Sequence, residues 1–514
     1  MSPRKFIRDS VGIAFAQYVV RATLMLRTLL AARLLGPEPL GAWNAIQLVL
    51  DNGSLLLFGT QQGLDKMVPA RLVAGDTDGE RRVKRAALFN LALLTALYAL
   101  GCFVWISVGQ SRIRDAWGFA GMGVAIACVV ATNLSNYQTS IQRSHGDLKT
   151  VARWMLIQGA IGGLLGLALT PWLGTWGLLG GWAVGCFSAL AYTTARSRRH
   201  APLSPAPATE GLDLVQAGLP LYVYLASSLI MRQLDRLIIL RFLGMEMLGY
   251  YGLAVMALGL MLYLPDAVTY VLYPRLQREF AEAGGDPASI RERIEKVLRT
   301  SAILVPAFGA VAFFFAGPLV QFLLPKFTPG VTAVRVLCFG AAGLAFGNFA
   351  SIVLMTIGRQ TLLVPGAVLS AVAGAGFDLL AVRLGYGING VAWATVATYS
   401  VSGALLLAMA LTGLAIRPRR VLGLLVQLFL PLGVAIALVL AIQQVVPWAG
   451  SPYLGRRAAR LAISLTLFAV FYLVAVRPLT QGLGLRRVLS ELNVPLVSAL
   501  ARRLDGGDSR QERP

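Results

Sequence analysis

The chain alternates long apolar runs with short polar stretches along most of its length. The runs are about twenty residues long, which suits helices that cross roughly 30 Å of hydrocarbon. Hydrophobic residues make up 56% of the sequence and charged residues only 14%, whereas soluble chains are about 25% charged. The pattern therefore predicts an all-α polytopic membrane protein with about 14 transmembrane helices. The predicted spans are 11–35, 42–63, 86–108, 118–140, 154–173, 175–195, 214–240, 247–272, 300–324, 331–357, 361–382, 386–412, 421–443 and 458–476.

Two short stretches of the sequence echo each other. "RLLGPEPLG" begins at Arg33 and "RFLGMEMLG" begins at Arg241, 208 residues later, and six of the nine positions agree. A second pair, "GLLGGWA" from Gly177 and "GINGVAW" from Gly387, is 210 residues apart. Two echoes at nearly equal offsets indicate an internal repeat of six helices.

The repeat predicts two six-helix lobes in parallel pseudo-symmetry, because an even number of spans returns each repeat to the same orientation. The stretch between them, "RSRRHAPLSPAPATEG", lacks a helical period and is typical of a flexible linker. Two C-terminal helices have no counterpart in the first repeat. The predicted boundaries are 1–195 for the first lobe, 196–213 for a cytoplasmic linker, 214–412 for the second lobe, 413–476 for helices 13 and 14, and 477–514 for a cytoplasmic tail.

Each echoed stretch is predicted to be a tight turn between two spans. Gly36 and Gly244 are placed to end a helix with positive φ. The following Glu then lies in the first turn of the next helix, where the helix dipole favours a negative charge. Gly41 and Gly249 would allow close packing where that helix begins.

The net charge of +22 invites the interpretation that the chain binds nucleic acid, but the distribution of the charges argues against it. Of the 46 Lys and Arg residues, 32 lie in the termini and in alternate loops on the same side, and nine lie in the opposite loops. This is the positive-inside bias of membrane proteins. It predicts cytoplasmic termini and an excess charge that meets anionic lipid headgroups rather than nucleic acid.

Three longer stretches carry a resemblance to a known family. "LRTLLAARLLGPEPLGAWNAIQLVL" resembles the first helical hairpin of the bacterial polysaccharide transporters of the O-antigen flippase family. "LDRLIILRFLGMEMLGYYGLAVMAL" is similar to the seventh and eighth helices of that family, and "LYPRLQREF" to the end of the eighth. The family shares a superfamily with lipid II flippases and multidrug extruders. The resemblance implies two lobes around a central cavity and a location in the bacterial inner membrane.

Ionisable residues inside the predicted spans are the candidate functional residues, since each costs at least roughly 2.5–3.5 kcal/mol at the membrane centre. Arginine outnumbers aspartate among them by five to two. Surplus guanidinium groups favour an anionic substrate, especially a diphosphate, whose oxygens they bind bidentately. The candidates for the substrate's anionic head are Arg27, Arg21, Arg232, Arg236 and Arg335, with Asp235 and Asp51 as gating or ion-pair partners.

The repeat offset gives one of these residues a specific partner. Residue 208 positions after Arg27 is Asp235, so we expect the two at matching depth in facing lobes, paired across the cavity. The alternative is a local pair of Asp235 with Arg232 on the same helix. Lipid II flippases carry two arginines six apart in their first helix, and Arg21 and Arg27 resemble that pair.

Two further carboxylates lie within predicted spans, and one of them is a candidate for ion coupling. Asp266 follows Pro265 in a predicted span, and a carboxylate beside a broken helix can bind a cation or a proton. The alternative is a carboxylate near the inner membrane interface. Asp378 lies toward the outer end of its predicted span and is interpreted as interfacial.

The predicted function is a flippase for a polyprenyl-diphosphate-linked oligosaccharide, working by alternating access in cell-surface polysaccharide biosynthesis. The resemblance implies membrane lipids, a polysaccharide polymerase and glycosyltransferases as partners, a monomeric state, and neither a cofactor nor a metal. The alternatives are a cation-coupled multidrug exporter and a lipid II flippase. A membrane polymerase or ligase is disfavoured, because the outer loops are short and both histidines, His145 and His200, fall in predicted cytoplasmic stretches. The chain is therefore predicted not to be an enzyme.

Overall fold

The computed structural model describes residues 3–53, 55–108, 111–197, 210–446 and 454–480. Within these ranges every regular element is a helix, which confirms the predicted fold class. The long and short α-helices are α1 (Pro3–Leu35), α2 (Pro37–Asn52), α3 (Thr60–Ala74), α4 (Thr77–Val108), α5 (Ser111–Ser144), α6 (Leu148–Met155), α7 (Gly162–Leu173), α8 (Thr175–Ser197), α9 (Glu210–Met231), α10 (Leu234–Ile238), α11 (Met245–Glu282), α12 (Arg291–Leu323), α13 (Val331–Leu337), α14 (Gly340–Thr356), α15 (Leu363–Arg383), α16 (Gly387–Gly413), α17 (Pro418–Val445) and α18 (Leu454–Thr480).

Most of the long helices fall where the apolar runs predicted them. Ten helices in the described part of the chain are long and apolar enough to cross a membrane. Two further helical segments, Pro325–Leu337 and Gly340–Thr356, meet at a bend, and the count of candidate spans is eleven if they form one span. The chain is thus a multi-pass membrane protein. The count of 14 stays a prediction, because three predicted spans fall on helices that are charged or interrupted.

Two predicted spans are interrupted, contrary to the sequence pattern. The predicted span 42–63 ends as a helix at Asn52 and resumes at Thr60, after Phe58 and Gly59 adopt positive φ angles of 43° and 82°. A Cβ atom on Gly218 of α9 would overlap the carbonyl oxygen of Gly59, so the break follows from a backbone contact that the hydropathy pattern does not record. The predicted span 214–240 breaks likewise between α9 and α10.

The helices form two compact units. The first unit contains Met1–Ala257, Leu319–Leu337 and Gln360–Thr398. The second contains Leu258–Pro318, Cys338–Arg359 and Tyr399–Pro514. In the second unit aromatic side chains from four helices meet in pairs, as Phe346 does with Phe429. The predicted lobe boundaries stay a prediction.

The echoed stretches pack directly on each other in the first unit. Gly36 and Gly244 end their helices with φ angles of 88° and 107°, as predicted. A Cβ atom on Gly41 would overlap the carbonyl oxygen of Met245, and one on Gly249 would overlap that of Pro37. The first turns of α2 and α11 therefore cross backbone to backbone, at two positions 208 residues apart.

Candidate functional site

The candidate site is built around Arg27, which α1 places in the interior of the first unit with only 3% of its surface exposed. Its guanidinium carbon lies 4.8 Å from the ring centre of Trp43 on α2 and 5.7 Å from that of Trp182 on α8. The two rings hold the planar group by cation–π attraction. Its Nε and Nη1 atoms are buried without a hydrogen-bond partner. Arg27 is therefore a positioned cation whose donors are left over for an anion.

Asp51 lies between this arginine and Arg236 in electrostatic terms, because it interacts with both. The carboxylate of Asp51, on α2, is within electrostatic range of both Arg27 and Arg236. Arg236 lies on α10, donates from Nη2 to the carbonyl oxygen of Arg232 at 3.3 Å, and keeps its buried Nε without a partner. Three helices thus bring Arg27, Arg236 and Asp51 into one electrostatic cluster, and Arg236 is also within electrostatic range of Asp235.

The other predicted arginines are not part of that cluster. Arg21 is exposed, whereas Arg27, six residues later, is buried, as expected for positions that do not share a helix face. Arg335 is buried on α13 and is not among the cations within range of Asp51. Arg232 is half-buried and contributes its carbonyl oxygen to Arg236. The proposed roles of these arginines in binding stay predictions.

Asp235 forms neither of the pairs that the sequence suggested. Its Oδ2 accepts a hydrogen bond from the hydroxyl of Tyr251 at 2.7 Å, and its Oδ1 accepts one from the backbone N–H of Arg236 at 2.7 Å. Among the described residues it has no ion pair with Arg27 or with Arg232. The helix break before α10 turns Asp235 toward α11, and the repeat offset could not predict that rotation.

Asp378 is buried within the protein, and its interfacial depth in the membrane stays a prediction. Only 3% of it is exposed, its Oδ1 has no partner, and it lies within electrostatic range of Asp235. The hydroxyl of Tyr251 continues this polar region to Thr395 of α16, at 3.0 Å. Gln233, in the break before α10, is buried with both amide atoms unpartnered.

The Asp235–Asp378 cluster, as we call these two carboxylates with Tyr251 and Thr395, has a chemistry distinct from that of the arginines. Two negative carboxylates within electrostatic range repel each other, and a proton or a cation bound between them would relieve that repulsion. The hydroxyl oxygens of Tyr251 and Thr395 are further oxygen ligands, the kind that hard cations prefer. In the part of the chain that the structure describes, no group of three His, Cys, Asp or Glu side chains could hold a metal ion.

Asp266, the sequence-based candidate for ion coupling, belongs to the second unit. It is half-buried on α11, which continues as a helix through Pro265. Its Oδ1 accepts a hydrogen bond from the side-chain amide of Asn348 at 3.3 Å. Its role in coupling stays a prediction.

The sequence matches a family over more than half of the chain. Residues 30–327 match the family described as "Polysaccharide biosynthesis protein". The chain belongs to this family. Asp51 and the Arg232–Arg236 segment lie inside the matched region of the polysaccharide biosynthesis protein family, whereas Arg27 lies just before it.

Solved structures with a similar fold are membrane flippases and exporters. The lipid II flippase MurJ in an inward closed conformation has a TM-score of 0.68 and 13% identity, and the match covers 91% of this chain and 99% of that one. An inward-facing multidrug resistance transporter of the MATE family, in the MOP superfamily, has a TM-score of 0.62 and 16% identity, covering 79% of this chain and 95% of that one. The chain therefore has a fold that these transporters share.

One curated protein is also similar. An uncharacterized membrane protein of Methanocaldococcus jannaschii is 27% identical over 191 residues, which is 37% of this chain and 37% of that protein. The chain thus spans little more than a third of the length of the curated relative it matches.

Proposed function

We propose that the chain is a flippase that moves a polyprenyl-diphosphate-linked oligosaccharide across the inner membrane of a bacterium, from the cytoplasmic to the outer leaflet, by alternating access. The observation that carries this proposal is the partnerless pair of donors on Arg27. A buried guanidinium with free donors is costly unless an anion or water takes up its hydrogen bonds. A diphosphate supplies several oxygens that match the planar fork.

Asp51 has a direct part in this proposal. In the substrate-free arrangement its carboxylate partly neutralises Arg27 and Arg236. A diphosphate carries more negative charge than one carboxylate and would replace Asp51 as the counter-anion of both guanidinium groups. The saccharide would then pass through the protein, while the prenyl chain stays in lipid.

Transport would require the echoed turns to separate. Gly41 and Gly249 bring the two hairpins into backbone contact at the end that the positive-inside bias assigns to the outside. In this proposal the crossing is the contact that closes the outward path. Opening it while the opposite end closes is an alternating-access cycle, with a polymerase and glycosyltransferases as the partners that consume and supply the substrate.

The function is tested with the full-length protein in liposomes that contain a fluorescent polyprenyl-diphosphate-linked oligosaccharide in one leaflet. We expect the probe to reach the other leaflet in protein-containing liposomes, as measured by a membrane-impermeant quencher. Lipid II and a cationic drug are tested in parallel, because they are the substrates expected for a lipid II flippase and for a multidrug exporter. If the protein moved only the drug, the proposal would be overturned. If it moved only lipid II, lipid II would be the substrate instead of the lipid-linked oligosaccharide.

We further propose that the Asp235–Asp378 cluster couples this transport to a cation or proton gradient. The cluster is buried, has an unpartnered carboxylate oxygen, and adjoins Arg236 of the arginine cluster through Asp235. Loading a positive charge there would change the electrostatic field at Arg236, so occupancy of one site would alter the other.

The coupling proposal predicts that Asp378→Asn removes the stimulation of transport by an imposed sodium or pH gradient. The reason is that a side-chain amide does not gain or lose a proton in the physiological pH range, and it binds cations less strongly than a carboxylate does. The measurement is the quenching assay with and without each gradient. Asp266→Asn is the matched control, and it should keep the stimulation. The reverse outcome, with stimulation lost only in Asp266→Asn, would return the coupling role to Asp266.

A further inference from the structure

A groove between α11 and α12 in the second unit has features that the transport proposal does not use. Its volume is about 470 Å³, within the range of small-molecule sites of about 300–1,000 Å³. Nine of its fourteen lining residues are apolar, and the others are Arg275, Arg293, Lys296, Thr300 and Ser301. These polar residues lie toward the end where the two helices are connected, so the groove is basic at one end and apolar along its length.

The basic end of the groove contains three cations, which differ in their ion pairing. Arg293 is held by the carboxylate of Glu279. By contrast, neither the exposed Arg275 nor the half-buried Lys296 has an ion pair among the residues that the structure describes. Thr300 donates its hydroxyl to the carbonyl oxygen of Lys296 at 2.9 Å. Arg275 and Lys296 are thus two positive charges, one from each helix, that face a common space.

The apolar length of the groove is open to its surroundings. Val271 is 53% exposed and Leu264 is 42% exposed, although both lie on a helix of a membrane protein. In lipid such side chains contact hydrocarbon rather than water. The positive-inside bias places the connected end of the groove at the cytoplasmic leaflet, which is rich in anionic lipids.

We propose that this groove binds one anionic membrane phospholipid, such as phosphatidylglycerol. The phosphate sits between Arg275 and Lys296 with the Ser301 hydroxyl within the same lining, and an acyl chain lies along Val268, Val271 and Leu304. The charge complementarity selects an anionic lipid over a zwitterionic one. The apolar lining beyond the basic end suits a hydrocarbon chain and leaves little polar space for a saccharide, which favours a phospholipid over the transported substrate.

The test is native mass spectrometry of the full-length protein titrated with phosphatidylglycerol and, separately, with phosphatidylcholine of the same acyl chains. The double substitution Arg275→Gln and Lys296→Gln should weaken phosphatidylglycerol binding about 30-fold. The reason is that each basic residue near an anionic lipid surface contributes about 1 kcal/mol to binding. Arg417→Gln with Arg419→Gln is the matched control. It removes two exposed charges at the start of α17, in the same unit, and should leave the affinity unchanged.

A second variant tests the apolar part of the groove without changing charge. Val268→Trp should fill it and weaken the binding of phosphatidylglycerol, whereas Val311→Trp, at an exposed position on α12 outside the groove, should not. Equal affinity in all four variants would overturn the proposal. Displacement of phosphatidylglycerol by an equal concentration of polyprenyl diphosphate would also overturn it, since the groove would then serve the transported lipid. Neither result depends on whether transport itself is observed.

Discussion

Arg27→Ala is expected to abolish transport while the protein remains folded. The substitution removes a buried cation whose Nε and Nη1 donors have no partner inside the protein, so few folded-state hydrogen bonds are lost. The interaction that it removes is the one made with the substrate's diphosphate. Loss of one partner of a buried, hydrogen-bonded charge pair costs about 2–5 kcal/mol, so transport should fall at least roughly 30-fold. The measurement is the leaflet-exchange assay with the fluorescent lipid-linked oligosaccharide.

Two further variants separate the charge of Arg27 from its shape. Arg27→Lys keeps the charge but loses the fork and most of the stacking between Trp43 and Trp182, so we expect it to restore only a small part of transport. Arg33→Ala removes an exposed arginine from the same helix and is the matched control. Undiminished transport by Arg27→Ala, with expression and thermal stability equal to the control, would remove Arg27 from the proposed site.

Arg27 was predictable from the sequence because a charge inside an apolar run is conspicuous. Its surroundings were not predictable in the same way. Trp43 and Trp182 come from separate helices, and an aromatic residue in a membrane helix has no pattern that distinguishes a partner of a cation from a residue facing lipid. Asp51 was found by the same rule as Arg27, and its position near Arg27 and Arg236 required the packing of three helices.

Asp235 shows what the spacing of residues in the sequence cannot predict. The 208-residue offset correctly related the echoed turns, since Gly41 and Gly249 do lie against each other. The same offset did not predict the partner of Asp235. The reason is that α9 stops at Met231 and α10 begins at Leu234, which changes the direction of the side chains that follow. Hydropathy records the depth of a residue in a span, and it does not record an irregular turn.

The Gly41–Gly249 crossing carries the second large prediction, a loss of stability in Gly249→Ala. A Cβ atom at Gly249 would overlap the carbonyl oxygen of Pro37, and it would lie 3.1 Å from the backbone nitrogen of Gly41. Backbone atoms cannot move aside by changing a rotamer, so the two helices must separate. Overpacking of this kind typically costs 1–3 kcal/mol, and we expect about 3 kcal/mol or more here. The measurement is the unfolding midpoint of the purified protein in detergent.

Gly259→Ala on the same helix is the matched control for this change. A Cβ atom there meets nothing within 4 Å, so the protein should keep its stability or gain up to about 1 kcal/mol from the better helix former. Gly41→Ala should behave like Gly249→Ala, because its Cβ would overlap the carbonyl oxygen of Met245 across the same crossing. If both crossing variants melted at the temperature of Gly259→Ala, the two hairpins would not be in backbone contact in the folded protein. The contact would then be unable to serve as the outward closure that alternating access requires.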